Sequence, residues 1–172
     1  MSDATSHREG QSGYERLLTQ KTIGQILETA MQFEKTAEAY YRSLLDQVSK
    51  PMRELVLELA EEEAQHYATF LALKDDPQVH DQVNERVQAP PSDHRFSNYI
   101  HLPELPDTPD DQSILQYALG REHTAMQQYQ SLAEAVPTGP LQDVFRFLAQ
   151  EELEHKRELE KRYYEIVHSG GV

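Results

Sequence analysis

Apolar residues recur along this chain in steps that alternate between four and three, the period of one face of an α-helix, and they do so in four separate stretches. The first face reads Ile23, Leu27, Ala30, Glu34, Ala37, Tyr41, Leu44 and Val48; the second reads Met52, Val56, Leu59, Glu63, His66, Phe70 and Leu73. The third is Leu115, Ala118, Glu122, Ala125, Tyr129, Leu132 and Val136, and the fourth Leu141, Phe145, Leu148, Glu152, His155, Leu159, Arg162 and Ile166. Each face should be buried, yet each is interrupted at a similar depth by a glutamate or by a glutamate with a histidine three residues on. The pattern predicts an all-α fold, a four-helix bundle with ionisable groups in the middle of its core.

Punctuation residues set the expected boundaries. The first helix runs from about residue 22 to 48, and Ser49 with Pro51 offers an N-cap and a first-turn proline for the second, which ends near Lys74. Residues 75–111 contain Pro77, Pro90, Pro91, Pro103, Pro106 and Pro109, too many for one helix, although 79–87 reads as a short helix within this crossover. Thr108, Pro109 and Asp111 start the third helix, which extends to about Ala135. A turn over residues 136–140 leads to the fourth helix, which ends before Ser169. The expected organisation is an N-terminal tail over 1–21 with a helical lead-in at 14–21, a bundle domain over 22–168, and a short tail over 169–172. Two short links and one long crossover make each hairpin antiparallel and let the second and third helices run parallel, which brings all four midpoints to one level.

The two halves also match each other. A shift of 88 pairs Glu34, Thr36, Ala37, Tyr41, Ser43 and Leu44 with Glu122, Thr124, Ala125, Tyr129, Ser131 and Leu132. A shift of 89 pairs Leu59, Ala60, Glu62, Glu63 and His66 with Leu148, Ala149, Glu151, Glu152 and His155. This is a duplicated helical hairpin, and two copies are too few for a solenoid, so the hairpins should pack face to face.

Composition narrows the chemistry. With 172 residues, 38% of them hydrophobic, the chain suffices for one domain and its core. The net charge of −14 repels nucleic-acid phosphates and anionic membranes and favours metal cations as partners. No apolar run approaches the ~20 residues of a membrane span, and residues 1–13 lack the apolar stretch of a signal peptide, so a cytoplasmic location is expected. There is no cysteine, which leaves nitrogen and oxygen as the only metal donors.

Residues three apart on a helix lie ~60° apart around the axis and ~4.5 Å apart along it, so Glu63 with His66, and Glu152 with His155, can each chelate an ion. Glu34 and Glu122 can each cap one ion. Glu62 and Glu151 stand four residues before the histidines and are geometrically admissible in place of Glu63 and Glu152; the three-residue spacing recurs in such bundles and is preferred. Burying four uncompensated carboxylates would exceed a folding stability of ~5 to 15 kcal/mol, whereas two divalent cations offset their charge.

Glu34, Glu63 with His66, Glu122, and Glu152 with His155, together with the long crossover, resemble the ferritin-like diiron-carboxylate superfamily, and within it the rubrerythrins, over residues 22–164. The resemblance implies a ferritin-like bundle holding two iron ions on these six residues, with manganese or zinc as alternatives. Rubrerythrins usually carry a further metal-binding glutamate three residues after the third-helix one, where this chain has Ala125, which makes the inferred site more symmetric. The resemblance is to a form without a rubredoxin domain. It implies a non-haem diiron oxidoreductase, peroxidase or ferroxidase-like, that reduces dioxygen or hydrogen peroxide. Its electrons come from an external donor, or ferrous iron is itself the substrate; a homo-oligomer, with a dimer favoured, is expected. The alternatives are iron storage or buffering in a hollow multi-subunit cage, and a structural bundle that holds metal without turnover. Tyr41 and Tyr129 read as packed side chains with satisfied hydroxyls, with a hydrogen bond to a ligand or an electron relay as the alternative, Arg162 as solvated or acid-paired, and His94, His101, His123 and His168 have no assigned role.

Overall fold

Thr22 opens the first helix with a reciprocal cap. Its hydroxyl accepts from the Gln25 amide at 3.1 Å while the Gln25 side chain accepts from the Thr22 amide at 3.0 Å. The structure, a computed structural model, describes residues 20–88, 90, 99 and 109–169. These form β1 (Gln20–Thr22), α1 (Ile23–Leu44), α2 (Lys50–Lys74), α3 (Pro77–Gln82), β2 (Arg86–Gln88), α4 (Asp111–Ala135) and α5 (Pro140–Ser169). The expected tail at 1–13, most of the lead-in at 14–21, most of the crossover after residue 88, His94, His101 and residues 170–172 lie outside the described residues.

Each long helix starts for an identifiable reason. Asp110 caps α4, its carboxylate accepting from the Ser113 amide at 2.7 Å. Gly139 has φ of 154°, a value side chains rarely allow, and its carbonyl accepts the first α5 amide bond, from Asp143 at 3.1 Å. Ser49 does occupy the N-cap position of α2, with Pro51 in the first turn, but its hydroxyl makes no cap bond. It donates instead to Asp111 at 2.8 Å, which ties the α1–α2 turn to the start of α4.

The main departure from sequence expectation lies beside the bundle. Gln20–Thr22 is a strand rather than a helical lead-in, paired antiparallel with β2 in the register Gln20↔Gln88, Lys21↔Val87, Thr22↔Arg86. The expected helix over 79–87 therefore stops at Gln82, as α3. The α1 amides of Ile23 and Gly24, which have no partner within their helix, donate to the carbonyls of Glu85 and Val83 at 2.9 and 2.8 Å. This small platform fixes where α1 begins.

Two apolar clusters fill the bundle, one above and one below a polar layer. One holds the first half of α1 (Ile23 to Phe33), the end of α2 (Phe70, Leu73), the second half of α4 (Ala125 to Ala133) and the start of α5 (Leu141 to Ala149). The other holds Ala37 to Leu44, Met52 to Ala60, Ile114 to Ala118 and Leu159. The ends of α2 and α4 share a cluster, so those helices run parallel while α1–α2 and α4–α5 are antiparallel hairpins. The ionisable groups lie between the clusters, at residues 34, 63–66, 121–122 and 152–155. No helix among the described residues is long and apolar enough to cross a membrane.

Candidate metal centre

All six residues singled out from the sequence converge on the polar layer. Glu34, Glu63, Glu122 and Glu152 are wholly buried and His66 nearly so, while His155 is slightly open. One donor atom from each of Glu34, Glu63, His66 and Glu152 lies within 4.8 Å of the others, and so does one from each of Glu122, Glu152 and His155. Glu152 belongs to both groups, 3.2 Å from His66 Nδ1 through one oxygen and 3.6 Å from His155 Nδ1 through the other. The two imidazoles are nearly parallel, with ring centres 5.9 Å apart, as expected of duplicated hairpins related by a local twofold.

The outer nitrogens of these rings are held by acids of the opposite hairpin. His66 Nε2 pairs with Glu151 at 3.0 Å, and His155 Nε2 with Glu62 at 3.1 Å. Glu62 and Glu151 therefore stand outside the cluster and Glu63 and Glu152 inside it. An acid that holds Nε2–H leaves Nδ1 as the inward-facing donor and fixes the ring plane. Replacing Glu62 or Glu151 by alanine is expected to weaken divalent-ion binding by about 10- to 100-fold while leaving the inner carboxylates in place. Titration with Zn2+ checks this, and affinity unchanged in both variants would show that the outer acids are ordinary surface charge.

Five inward-facing atoms have no hydrogen-bond partner: His66 Nδ1, His155 Nδ1, both oxygens of Glu152 and one oxygen of Glu122. Buried polar atoms of native proteins are nearly always paired, and these five can each offer a lone pair to an ion once the imidazoles give up a proton. A hard or borderline divalent cation fits that donor set. The model of the family described as Rubrerythrin matches residues 25–101 and 113–169, and so spans both hairpins and every residue of the cluster. The chain belongs to the rubrerythrin family.

Two solved structures are similar to this rubrerythrin-family chain. "Hypothetical Protein Pfu-1136390-001" from Pyrococcus furiosus is 24% identical with a TM-score of 0.64, covering 86% of this chain and 91% of that one. The bacterioferritin-related protein of Bacteroides fragilis, described as a dodecameric thioferritin, is 22% identical with a TM-score of 0.64, covering 87% and 88%. Both likenesses show the ferritin-like fold. No curated protein sequence matches the chain.

One residue at the heart of this rubrerythrin-family site escapes the periodicity altogether. Arg121, fully buried, donates through Nη1 to Glu63 at 2.9 Å and Glu122 at 3.2 Å, and through Nη2 to Glu34 and Glu63, both at 2.8 Å. Its guanidinium lies over the Phe33 ring, 4.2 Å from the centroid. The Tyr129 hydroxyl is satisfied, as expected of a packed side chain, but by the other oxygen of Glu34, a candidate ligand, which is the alternative reading of this residue. Tyr41, its duplicate on α1, departs from that expectation: its hydroxyl is buried with no partner.

Burial disfavours charge throughout this layer and neighbours decide the outcome. It pushes the Glu63 carboxyl up to about 8, aided by the Glu34 and Glu152 charges and opposed by Arg121. Burial lowers His155, but Glu152 and Glu62 outweigh it and raise the ring to about 10. His66 is likewise held well above its usual range, by Glu152, Glu34 and Glu63 against burial. In Glu34 burial is outweighed by its bonding to Glu63, then by Arg121 and His66, and in Glu152 by His155 and His66. Both stay below the usual carboxylate range.

Raised folded-state values mean that the metal-free fold holds protons which the unfolded chain releases. The contribution of Glu63 is complete below its ordinary 4.5 and lost as pH rises through about 8; that of His155 is complete below 6.5 and lost through about 10. Metal-stripped protein is therefore expected to melt at progressively lower temperature as pH rises across that range. A divalent ion needs the same donors deprotonated, so its stabilising effect grows over the same interval. Melting curves in chelator across pH check this, and a rising profile would contradict it.

Proposed function

We propose that this chain is a non-haem diiron oxidoreductase that reduces dioxygen or hydrogen peroxide, with Glu34, Glu63, His66, Glu122, Glu152 and His155 holding two iron ions within a bundle domain over residues 22–168. The observation that carries the reading is the set of five buried, unpartnered donor atoms on His66, His155, Glu152 and Glu122, centred on a carboxylate that reaches both imidazoles. When bound, iron supplies the electron transfer that reduction of an oxygen species requires.

The chain's own residues supply the surroundings. Glu62 and Glu151 keep both Nδ1 atoms aimed inward, Tyr129 holds one oxygen of Glu34, and the two apolar clusters exclude water above and below. No side chain is expected to act as a classical nucleophile. Electrons come from an external donor, or ferrous iron serves as substrate in a ferroxidase reaction. The net charge of −14 suits attraction of ferrous ions and a soluble life in the cytoplasm as a homo-oligomer.

Aerobic loading with ferrous iron tests this. Two irons per chain with a diferric absorption band are expected; a protein that retains zinc or manganese but neither binds nor oxidises ferrous iron would overturn it. A second reading, iron storage, is favoured by the likeness to a protein described as a dodecameric thioferritin. Particle size decides between the two: a dimer saturating at two irons per chain supports the enzyme, whereas a hollow shell holding many irons per chain supports storage.

A further inference from the structure

We propose that Arg121 is a built-in competing cation that makes the two metal positions unequal: the first ion enters at His155, Glu152 and Glu122, and the second, at His66, must take Glu34 and Glu63 away from the guanidinium. The inference rests on the two-metal reading above.

The duplication shows that the cation has no counterpart. The shift of 88 that superposes Glu34 on Glu122 and Tyr41 on Tyr129 places Arg121 over Phe33. One copy of the hairpin thus carries a guanidinium beside its glutamate, and the other carries the ring against which that guanidinium packs. A site whose six candidate ligands pair across the duplication, Glu34 with Glu122, Glu63 with Glu152 and His66 with His155, is made one-sided at this position.

The consequence is visible oxygen by oxygen. Both oxygens of Glu63 accept from Arg121, and the two oxygens of Glu34 accept from Arg121 and Tyr129. On the opposite side, neither oxygen of Glu152 bonds Arg121, and Glu122 gives it a single oxygen, at 3.2 Å, the other having no hydrogen bond. An ion arriving near His155 competes with the guanidinium for one Glu122 oxygen alone. One arriving near His66 meets Nδ1 and Glu152, while every oxygen of Glu34 and Glu63 is already bonded.

Charge points the same way. Four carboxylates balance two divalent ions, so with Arg121 in place the second ion leaves one positive charge uncompensated in a buried layer where such charge is poorly screened. Arginine does not relieve this by losing its proton. The second ion is therefore expected to bind on the order of tenfold or more weakly than the first, within the usual range of coupling between sites.

Titration of the metal-stripped full chain with Mn2+, followed by calorimetry and electron paramagnetic resonance, tests the inference without reference to activity. At one equivalent the wild type is expected to show the signal of isolated Mn2+, with a spin-coupled pair growing only as the second equivalent binds. Arg121→Gln removes the charge and is expected to bring the two affinities together, so that coupled pairs form from the start of the titration. A wild type that forms coupled pairs at one equivalent overturns the inference and leaves the two-metal reading intact. Absence of Mn2+ or Zn2+ binding by the wild type overturns both. If Arg121→Gln does not fold without metal, the wild-type spectrum at one equivalent decides alone.

Discussion

Replacing Arg121 by leucine is expected to destabilise the metal-free protein by about 3 to 5 kcal/mol, the range found when one partner of a buried ion pair is removed and the other remains. The reason is local. Leucine keeps the helix and fills part of the volume, but Glu34, Glu63 and Glu122 would each lose the guanidinium they bond, leaving only the two imidazoles to offset them. For a chain of this length that is a fall of roughly 10 °C in the melting midpoint. Exposed pairs such as Arg42 with Glu38 supply the control, since each contributes only about 0.2 to 1 kcal/mol. The defect should shrink at low pH, where the abandoned carboxylates protonate, and should largely vanish when a divalent ion binds the folded form. Melting curves with and without Zn2+ read both effects. A metal-free Arg121→Leu variant that melts with the wild type would mean that the carboxylates are already neutral, and that the arginine does not hold the cluster.

The seam of the bundle was legible because a helix that buries one face repeats its apolar positions regularly. Every seam residue from Ile23 to Val48, Met52 to Leu73 and Leu115 to Val136 is buried, and the misfit on the fourth face, Arg162, is exposed and lies 3.7 Å from Glu158. Arg121 was not legible by that route. It sits one residue off the seam, about 100° round the helix, where a long cationic side chain ordinarily runs out to solvent. One signal was present in the sequence: four acids on buried faces with only two histidines to balance them. The bonds from Glu62 and Glu151 were hidden for a different reason. Spacing along one helix places each four residues from its own histidine, but each reaches the histidine of the other hairpin, a relation fixed only by how the hairpins dock. The strand at Gln20–Thr22 was hidden because three polar residues carry no alternation; only pairing with Arg86–Gln88 makes them a strand.

The other large effect expected is that of Glu152→Ala, which should remove metal from both positions, although a single carboxylate is lost. Glu34, Glu63 and Glu122 each serve one of the two donor groups, so removing any one of them leaves the other group complete. Glu152 is common to both, and its two oxygens lie 3.2 and 3.6 Å from the inward nitrogens of His66 and His155. Loss of an acid that merely orients a ligand lowers affinity about 10- to 100-fold, so loss of the shared ligand should exceed about 100-fold for both ions. Helicity should survive, because alanine is the most favourable helix residue and the apolar clusters on either side are untouched. Metal analysis after dialysis, beside a far-ultraviolet circular dichroism spectrum, separates the two properties. The pairing with Glu63→Ala sharpens the outcome: the double variant would keep only Glu34 and Glu122 as inner acids, one to each histidine, and should bind no pair of irons at all. One ion retained by Glu152→Ala at wild-type affinity would show that the imidazoles do not share this carboxylate, and that the two metal positions are separate sites.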